Sequence, residues 1–213
     1  MRICFFGDSF VNGTGDDDGL GWVGRLVASA RRRGKDVTSY NLGVRRDTSA
    51  DVAARWADEA TRRLPPQYEA RLAFSFGAND CADDEAGNAR LSLDASLASA
   101  TAILSKAVTL APTLMIGPAL PGEAHVERRI RLLSQELGQV CARLGVPYLE
   151  THPFVSTCDV WRREAAAGDG AHPNRDGYSA LAGHIGSWSA WKAWLGPTDR
   201  EPITSARDAP AGR

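Results

Sequence analysis

Five short apolar runs punctuate the chain, at about residues 2 to 6, 37 to 42, 70 to 76, 113 to 117 and 146 to 149. Between them lie longer stretches whose apolar residues recur at helical spacing. Short apolar runs predict buried strands, and their alternation with helices predicts a parallel sheet covered on both faces. One helical stripe is Trp22, Val23, Leu26, Val27 and Ala30. Two clearer ones run Leu93, Leu97, Ala100, Leu104, Ala107, Ala111 and Val126, Ile130, Leu133, Leu137, Val140, Leu144. Thr48 before Ser49-Ala50-Asp51 predicts an N-cap with an acidic residue at the third helical position, and Leu64-Pro65-Pro66 predicts where that helix stops. A final helix is predicted over about 175 to 195, with Tyr178, Leu181, Ile185 and Trp188 on its buried face. The same spacing assigns Trp188, Trp191 and Trp194 to core or rim packing rather than to a ligand cage.

The predicted architecture is an α/β fold in three layers, α/β/α, around a five-stranded parallel, flavodoxin-like sheet. Right-handed crossovers place the loops after all five strands at one edge, and open α/β sheets bind ligands outside those carboxyl ends. Ser9, Gly43 and Asn79 each follow a predicted strand at that edge.

Candidate chemistry is concentrated near the two ends of the chain. Gly7-Asp8-Ser9 supplies a hydroxyl, and Asp169-Gly170-Ala171-His172-Pro173-Asn174 supplies an imidazole with a carboxylate three residues before it. A serine hydroxyl is a weak nucleophile near neutrality. It needs an imidazole to take its proton and a carboxylate to fix the imidazole tautomer. Attack on an ester carbonyl also creates an oxyanion, which calls for preorganised donors. A glycine such as Gly43 brings its N–H close to a substrate, and the Asn79 side chain in Gly77-Ala78-Asn79-Asp80 is a neutral donor with longer reach.

The blocks GDSF, NLG, GAND and DGAHPN, in this order, resemble those of the SGNH or GDSL hydrolase family over about residues 1 to 195. The resemblance implies the SGNH hydrolase fold and a serine esterase or lipase acting on a carboxylic ester or thioester through an acyl-enzyme. In it Ser9 is the nucleophile, His172 the base and Asp169 its orienter, and the Ser9 N–H, Gly43 and Asn79 form the oxyanion hole. No cofactor and no metal are implied. Phe10 stands where the family name has Leu, beside the nucleophile and outside the chemistry. The family also contains lysophospholipases, carbohydrate deacetylases and acyltransferases, among which these motifs do not choose. A G-x-S-x-G elbow of the α/β-hydrolase type is absent.

Arg45 and Arg46 follow Gly43 on the loop expected at the cleft edge. Either a guanidinium pairs with Asp47, Asp80 or another loop carboxylate and fixes the oxyanion loop, or one arginine binds an anionic group of the substrate. Asp16-Asp17-Asp18 lacks the lysine of a phosphate loop and reads as a solvated loop at the cleft entrance. A phosphoacceptor receiver domain, with Asp8 and Asp80 around Mg²⁺, shares the five-strand plan. It leaves Asp169 to His172 unexplained, and the expected lysine after the fifth strand is missing. A pseudoenzyme is disfavoured because every catalytic position is filled. His125, His152 and His184 lie outside the motifs.

Composition narrows the picture further. A chain of 213 residues with 43% hydrophobic content suits one domain, expected over 1–196, with a mobile tail over 197–213 rich in Pro, Ala, Gly and charge. A formal charge of −1 argues against a nucleic-acid partner. The expected partner is a small-molecule acyl ester. Cys4, Cys81, Cys141 and Cys158 show no C-x-x-C pair and read as reduced thiols. The first strand begins directly after Met1, and no apolar run approaches a membrane span, so a cytoplasmic location is expected.

Overall fold

A computed structural model describes residues 1–119 and 124–196. The expected mobile tail lies outside the described residues. In chain order the elements are β1 (Arg2–Gly7), α1 (Ser9–Asn12), α2 (Gly21–Arg32), β2 (Thr38–Gly43), α3 (Ser49–Arg63), β3 (Ala70–Ser75), α4 (Ala78–Cys81) and α5 (Leu93–Leu110). There follow β4 (Thr113–Ile116), α6 (Ala124–Leu144), β5 (Tyr148–Leu149), α7 (His152–Thr157), α8 (Asp159–Ala167), α9 (Arg175–Ser187) and α10 (Ser189–Leu195).

The strands form one parallel sheet in the order β2-β1-β3-β4-β5. Side chains alternate across it, as a period of two requires. Ile3 and Phe5 enter one core with Trp22, Leu26, Trp161, Tyr178 and Ile185, while Cys4 and Phe6 enter the other with Trp56, Phe74, Leu104 and Leu137. Both faces of β1 are therefore dry, which is why it reads as an unbroken apolar run. The chain runs outward from β1 to β2, then crosses back to β3 on the other side. Such a reversal opens a crevice at the carboxyl ends. The register aligns the three strands that border it, because Gly7 lies opposite both Gly43 and Ser75.

α3 begins as its sequence predicts. The Thr48 hydroxyl accepts the Asp51 N–H at 3.3 Å and the Asp51 carboxylate accepts the Thr48 N–H at 2.8 Å, a reciprocal capping box. The predicted final helix is two helices. Trp188 adopts extended backbone, φ −62° and ψ 128°, and α10 sets off in a new direction that brings the Trp191 ring to 6.4 Å from Phe5.

α5 also corrects an expectation. Its 18 residues have a mean hydropathy of 1.2, long and apolar enough by length and composition to cross a membrane. Here Ser96, Ala100, Ile103, Leu104 and Ala107 are buried, and the helix packs against α3 and α6. The four cysteines are free thiols, and burial pushes those of Cys4, Cys81 and Cys141 up to about 12.

Candidate active site

Ser9 opens the single turn of α1 immediately beyond the end of β1. Asp8 caps that turn by accepting the Phe10 N–H at 3.0 Å, and the turn ends at Gly13 in the left-handed region. This fixes the serine backbone against the sheet edge. From the other end of the chain, the loop between α8 and α9 returns His172 to the same place. The Ser9 Oγ lies 2.7 Å from His172 Nε2, and His172 Nδ1 lies 2.7 Å from Asp169 Oδ2. With Nδ1–H donated to Asp169, Nε2 is left as the acceptor for the serine hydroxyl. Such a chain can pass a proton from the hydroxyl to the imidazole and steady the resulting cation.

Asp169 is suited to that position. Its other oxygen accepts the main-chain N–H groups of Ala171 at 3.0 Å and His172 at 2.9 Å. Partial burial alone would raise its pKa, but the His172 N–H, the His172 ring and the Ala171 N–H outweigh it and hold the carboxyl down to about 2. Asp8 is the opposite case. Burial, helped by the nearby charges of Asp80 and Asp47 and only partly offset by the Phe10 N–H, pushes its carboxyl up to about 7.

The structure brings the expected oxyanion donors to the same edge, but not on equal terms. Asn79 Nδ2 donates to the Asp47 carbonyl at 3.0 Å, and an amide has a second hydrogen to give. Gly43 has a single N–H, already donated to Asn41 Oδ1 at 3.1 Å. Donation from Gly43 to a substrate would therefore displace the Asn41 oxygen. The reason for glycine there is steric: a Cβ at residue 43 would meet Asn12 N at 2.2 Å and Asp8 O at 2.7 Å. Gly43 lets β2 close onto the serine turn, and Asn41 Nδ2 fastens the contact by donating to Val11 O at 2.8 Å. Farther along, Arg46 occupies the left-handed region at φ 69° in the turn closed by Asp47 N–H to Val44 O. Among the described residues, no acceptor is found for the N–H groups of Ser9, Arg45 and Arg46.

Several supporting residues had no motif to announce them. Arg55 of α3 donates to Gly7 O and Leu42 O, the last turns of two strands, and pairs with Asp47 at 2.7 Å. Glu164 of α8 accepts the N–H groups of Asn174, Asp176 and Gly177 at 2.9, 3.2 and 2.8 Å, gripping the start of α9 just beyond His172. Phe10 is more than a bystander, since its ring lies 4.8 Å from that of His172 and stacks on Trp161. Asp17 and Asp18 of the acidic loop are exposed, as expected, but the loop is also a clasp. Asp16 is buried and bonded to Arg25 and to the N–H groups of Asp18, Leu20 and Gly21, while Asp17 pairs with Asn174 and Asp18 with Arg175. Gly15 of this loop, at φ 88°, leaves room for the histidine: a Cβ there would come within 3.0 Å of His172 Cβ.

Among the described residues no three His, Cys, Asp or Glu side chains are grouped to hold a metal ion. Asp80, one half of the receiver-like alternative, gives both oxygens to Ser49, at 2.7 Å from its N–H and 2.6 Å from its hydroxyl. Asp8, the other half, is 2% exposed, so neither carboxylate is presented to solvent as a phosphoacceptor. Beside His172 lies an open cavity of about 410 Å³, lined among others by Thr14, Arg45, Glu164, Asp169 and Asn174.

Comparison with known proteins places the chain in a family. A family model for the GDSL-like lipase/acylhydrolase family matches residues 5–180. Among solved structures, the lipase/acylhydrolase from Enterococcus faecalis superposes with a TM-score of 0.72 at 20% identity, covering 94% of this chain and 99% of that one. Axe2, an acetylxylan esterase from Geobacillus stearothermophilus, gives 0.70 at 18% identity, covering 96% of each chain. Variants of Axe2 at a serine, an aspartate and a histidine, the last two three positions apart, are described as catalytic mutants. No match was found among curated proteins. With a five-stranded α/β fold shared with these hydrolases and a family match spanning most of its length, the chain belongs to the GDSL-like lipase/acylhydrolase family and is a hydrolase acting on ester bonds.

Proposed function

We propose that the chain is a serine esterase in which Ser9 is the nucleophile, His172 the general base and Asp169 the orienting carboxylate. The observation that carries this reading is the unbroken chain of two 2.7 Å contacts from Ser9 Oγ through the imidazole to Asp169. The catalytic serine, aspartate and histidine variants of Axe2 support it by analogy.

In this mechanism Ser9 Oγ attacks the ester carbonyl while its proton passes to His172 Nε2. The carbonyl π electrons move to oxygen, forming a tetrahedral oxyanion that the Ser9 N–H and the second Asn79 amide hydrogen receive. The Gly43 N–H, 3.1 Å from Asn41 Oδ1, is the third donor once it exchanges that side-chain acceptor for the oxyanion. The oxyanion collapses, the C–O bond to the alcohol breaks, and His172 returns the proton to the departing alkoxide. Water then repeats the sequence on the acyl-enzyme, losing its proton to His172, and releases the acid and Ser9. Asp169 remains ionised throughout, which its lowered pKa permits. Thr14, Arg45 and Asn174 on the walls beside His172 suit a hydroxylated or charged alcohol half.

Replacing Ser9 by Ala tests the reading. It is expected to lower turnover of an aryl acetate by roughly a thousandfold or more while leaving the melting temperature near that of the parent chain. Turnover within tenfold of the parent would exclude Ser9 as nucleophile.

A further inference from the structure

Arg45 and Arg46 lie on the rim of the site, and neither side chain has an acceptor among the described residues. The carboxylates that could have neutralised them are engaged elsewhere. Asp47 is paired with Arg55 at 2.7 Å, Asp80 is held by Ser49, and Asp51 is consumed by the Thr48 capping box. An arginine that only fixed this loop would use one of them.

The loop is instead fixed through its backbone. Val44 N–H donates to Gly7 O at 3.0 Å and Asp47 N–H to Val44 O at 3.3 Å, while Asp47 O accepts Asn79 and Arg46 O accepts Arg90 at 2.9 Å. The left-handed backbone of Arg46, a conformation that disfavours side chains with a Cβ by about 1 kcal/mol, is held in place by these bonds. The rigid turn therefore presents the Arg45 guanidinium with its donors unspent, on the wall of the cavity that also contains His172. Two carboxylates share that wall, but both are already hydrogen-bonded, Glu164 to three N–H groups and Asp169 to two N–H groups and the imidazole.

Under the esterase reading, on which this inference rests, the imidazole must protonate the departing alcohol, so the alcohol half of the substrate lies on the His172 side. We propose that Arg45 is a specificity-determining residue that binds a carboxylate on the alcohol half of the ester. The planar fork of a guanidinium suits a carboxylate, and a preorganised loop reduces the entropy lost on binding.

Two acetyl esters of one phenol test this, 4-acetoxybenzoate and its neutral counterpart 4-acetoxybenzamide. The full chain is expected to prefer the benzoate, and Arg45→Ala to lower the benzoate-to-benzamide ratio of kcat/KM by about tenfold or more, mostly through KM. Arg45→Lys should recover part of the ratio and Arg45→Glu should fall below Ala. An unchanged ratio in Arg45→Ala, or a parent chain that prefers a trimethylammonium analogue, overturns the proposal. A binding arm separates this failure from that of the esterase reading. Calorimetry with 4-hydroxybenzoate, the product, should show Kd weakened about tenfold by Arg45→Ala, whether or not Ser9 is the nucleophile. Equal binding by both chains, or none by the parent, overturns the assignment to Arg45 independently of turnover.

Discussion

Phe10 and Asp8 flank Ser9, and each does something that its place in a motif does not disclose. Phe10 gives the His172 imidazole a flat wall, backed by Trp161, that restrains the ring in the plane joining Ser9 to Asp169. Asp8 caps the serine turn from a fully buried position, which has a consequence for stability. A carboxyl raised from 3.8 to about 7 binds its proton more tightly in the folded than in the unfolded chain. Folding therefore loses stability as pH rises through that window, and the loss is complete above about 7. Asp169, lowered to about 2, has the opposite sign: its contribution is present above 3.8 and lost as pH falls toward 2. Asp8→Asn keeps the acceptor for Phe10 and removes the buried charge. Its melting temperature relative to the parent should be several degrees more favourable at about pH 8 than at about pH 5, measured by thermal denaturation. An identical difference at the two pH values would show that Asp8 does not titrate in this window. The three side chains that the fold brings together, Ser9, Asp169 and His172, were legible in the sequence because they are chemically distinctive types in short motifs. The donors were less so. Whether the Gly43 N–H is free depends on the rotamer of Asn41.

At the scale of elements, strands were readable wherever both faces are buried, as in β1 and β3, and capped helices wherever the cap is local, as in α3. The break between α9 and α10 was not readable, since apolar spacing continues through Trp188 and only tertiary packing of Trp191 on Phe5 turns the chain. The grip of α8 on α9 was also hidden, because Glu164 resembles any exposed helical glutamate until α9 is folded against it. Three N–H groups at the beginning of α9 converge on its carboxylate, the arrangement that satisfies otherwise orphaned donors of a helix start. Glu164→Ala should cost about 2 kcal/mol of stability and lower kcat by roughly tenfold as the His172 loop loosens, with Glu164→Gln recovering part of each. Denaturant unfolding together with steady-state kinetics would check this. A Glu164→Ala chain as stable and active as the parent would reduce the carboxylate to a surface group.

Across the whole molecule, the site joins the two ends of the described chain through the sheet. β1 delivers Ser9 next to the strand-order reversal, while α9, packed on α2, holds the loop bearing His172 against it. The acidic loop at 16 to 18 ties these halves by pairing with Asn174 and Arg175. A chain of near-neutral net charge thus keeps its charges locally paired around the site, leaving the Arg45 and Arg46 guanidiniums unpaired among the described residues. The central claim is that this assembly activates one hydroxyl, and covalent capture tests it most directly. A fluorophosphonate incubated with the full chain, followed by intact-mass and peptide mass spectrometry, should show a single adduct on the peptide carrying Ser9. The adduct should be absent from Ser9→Ala and form much more slowly in His172→Ala. A single adduct on any other residue, or labelling that persists in Ser9→Ala, would contradict the account.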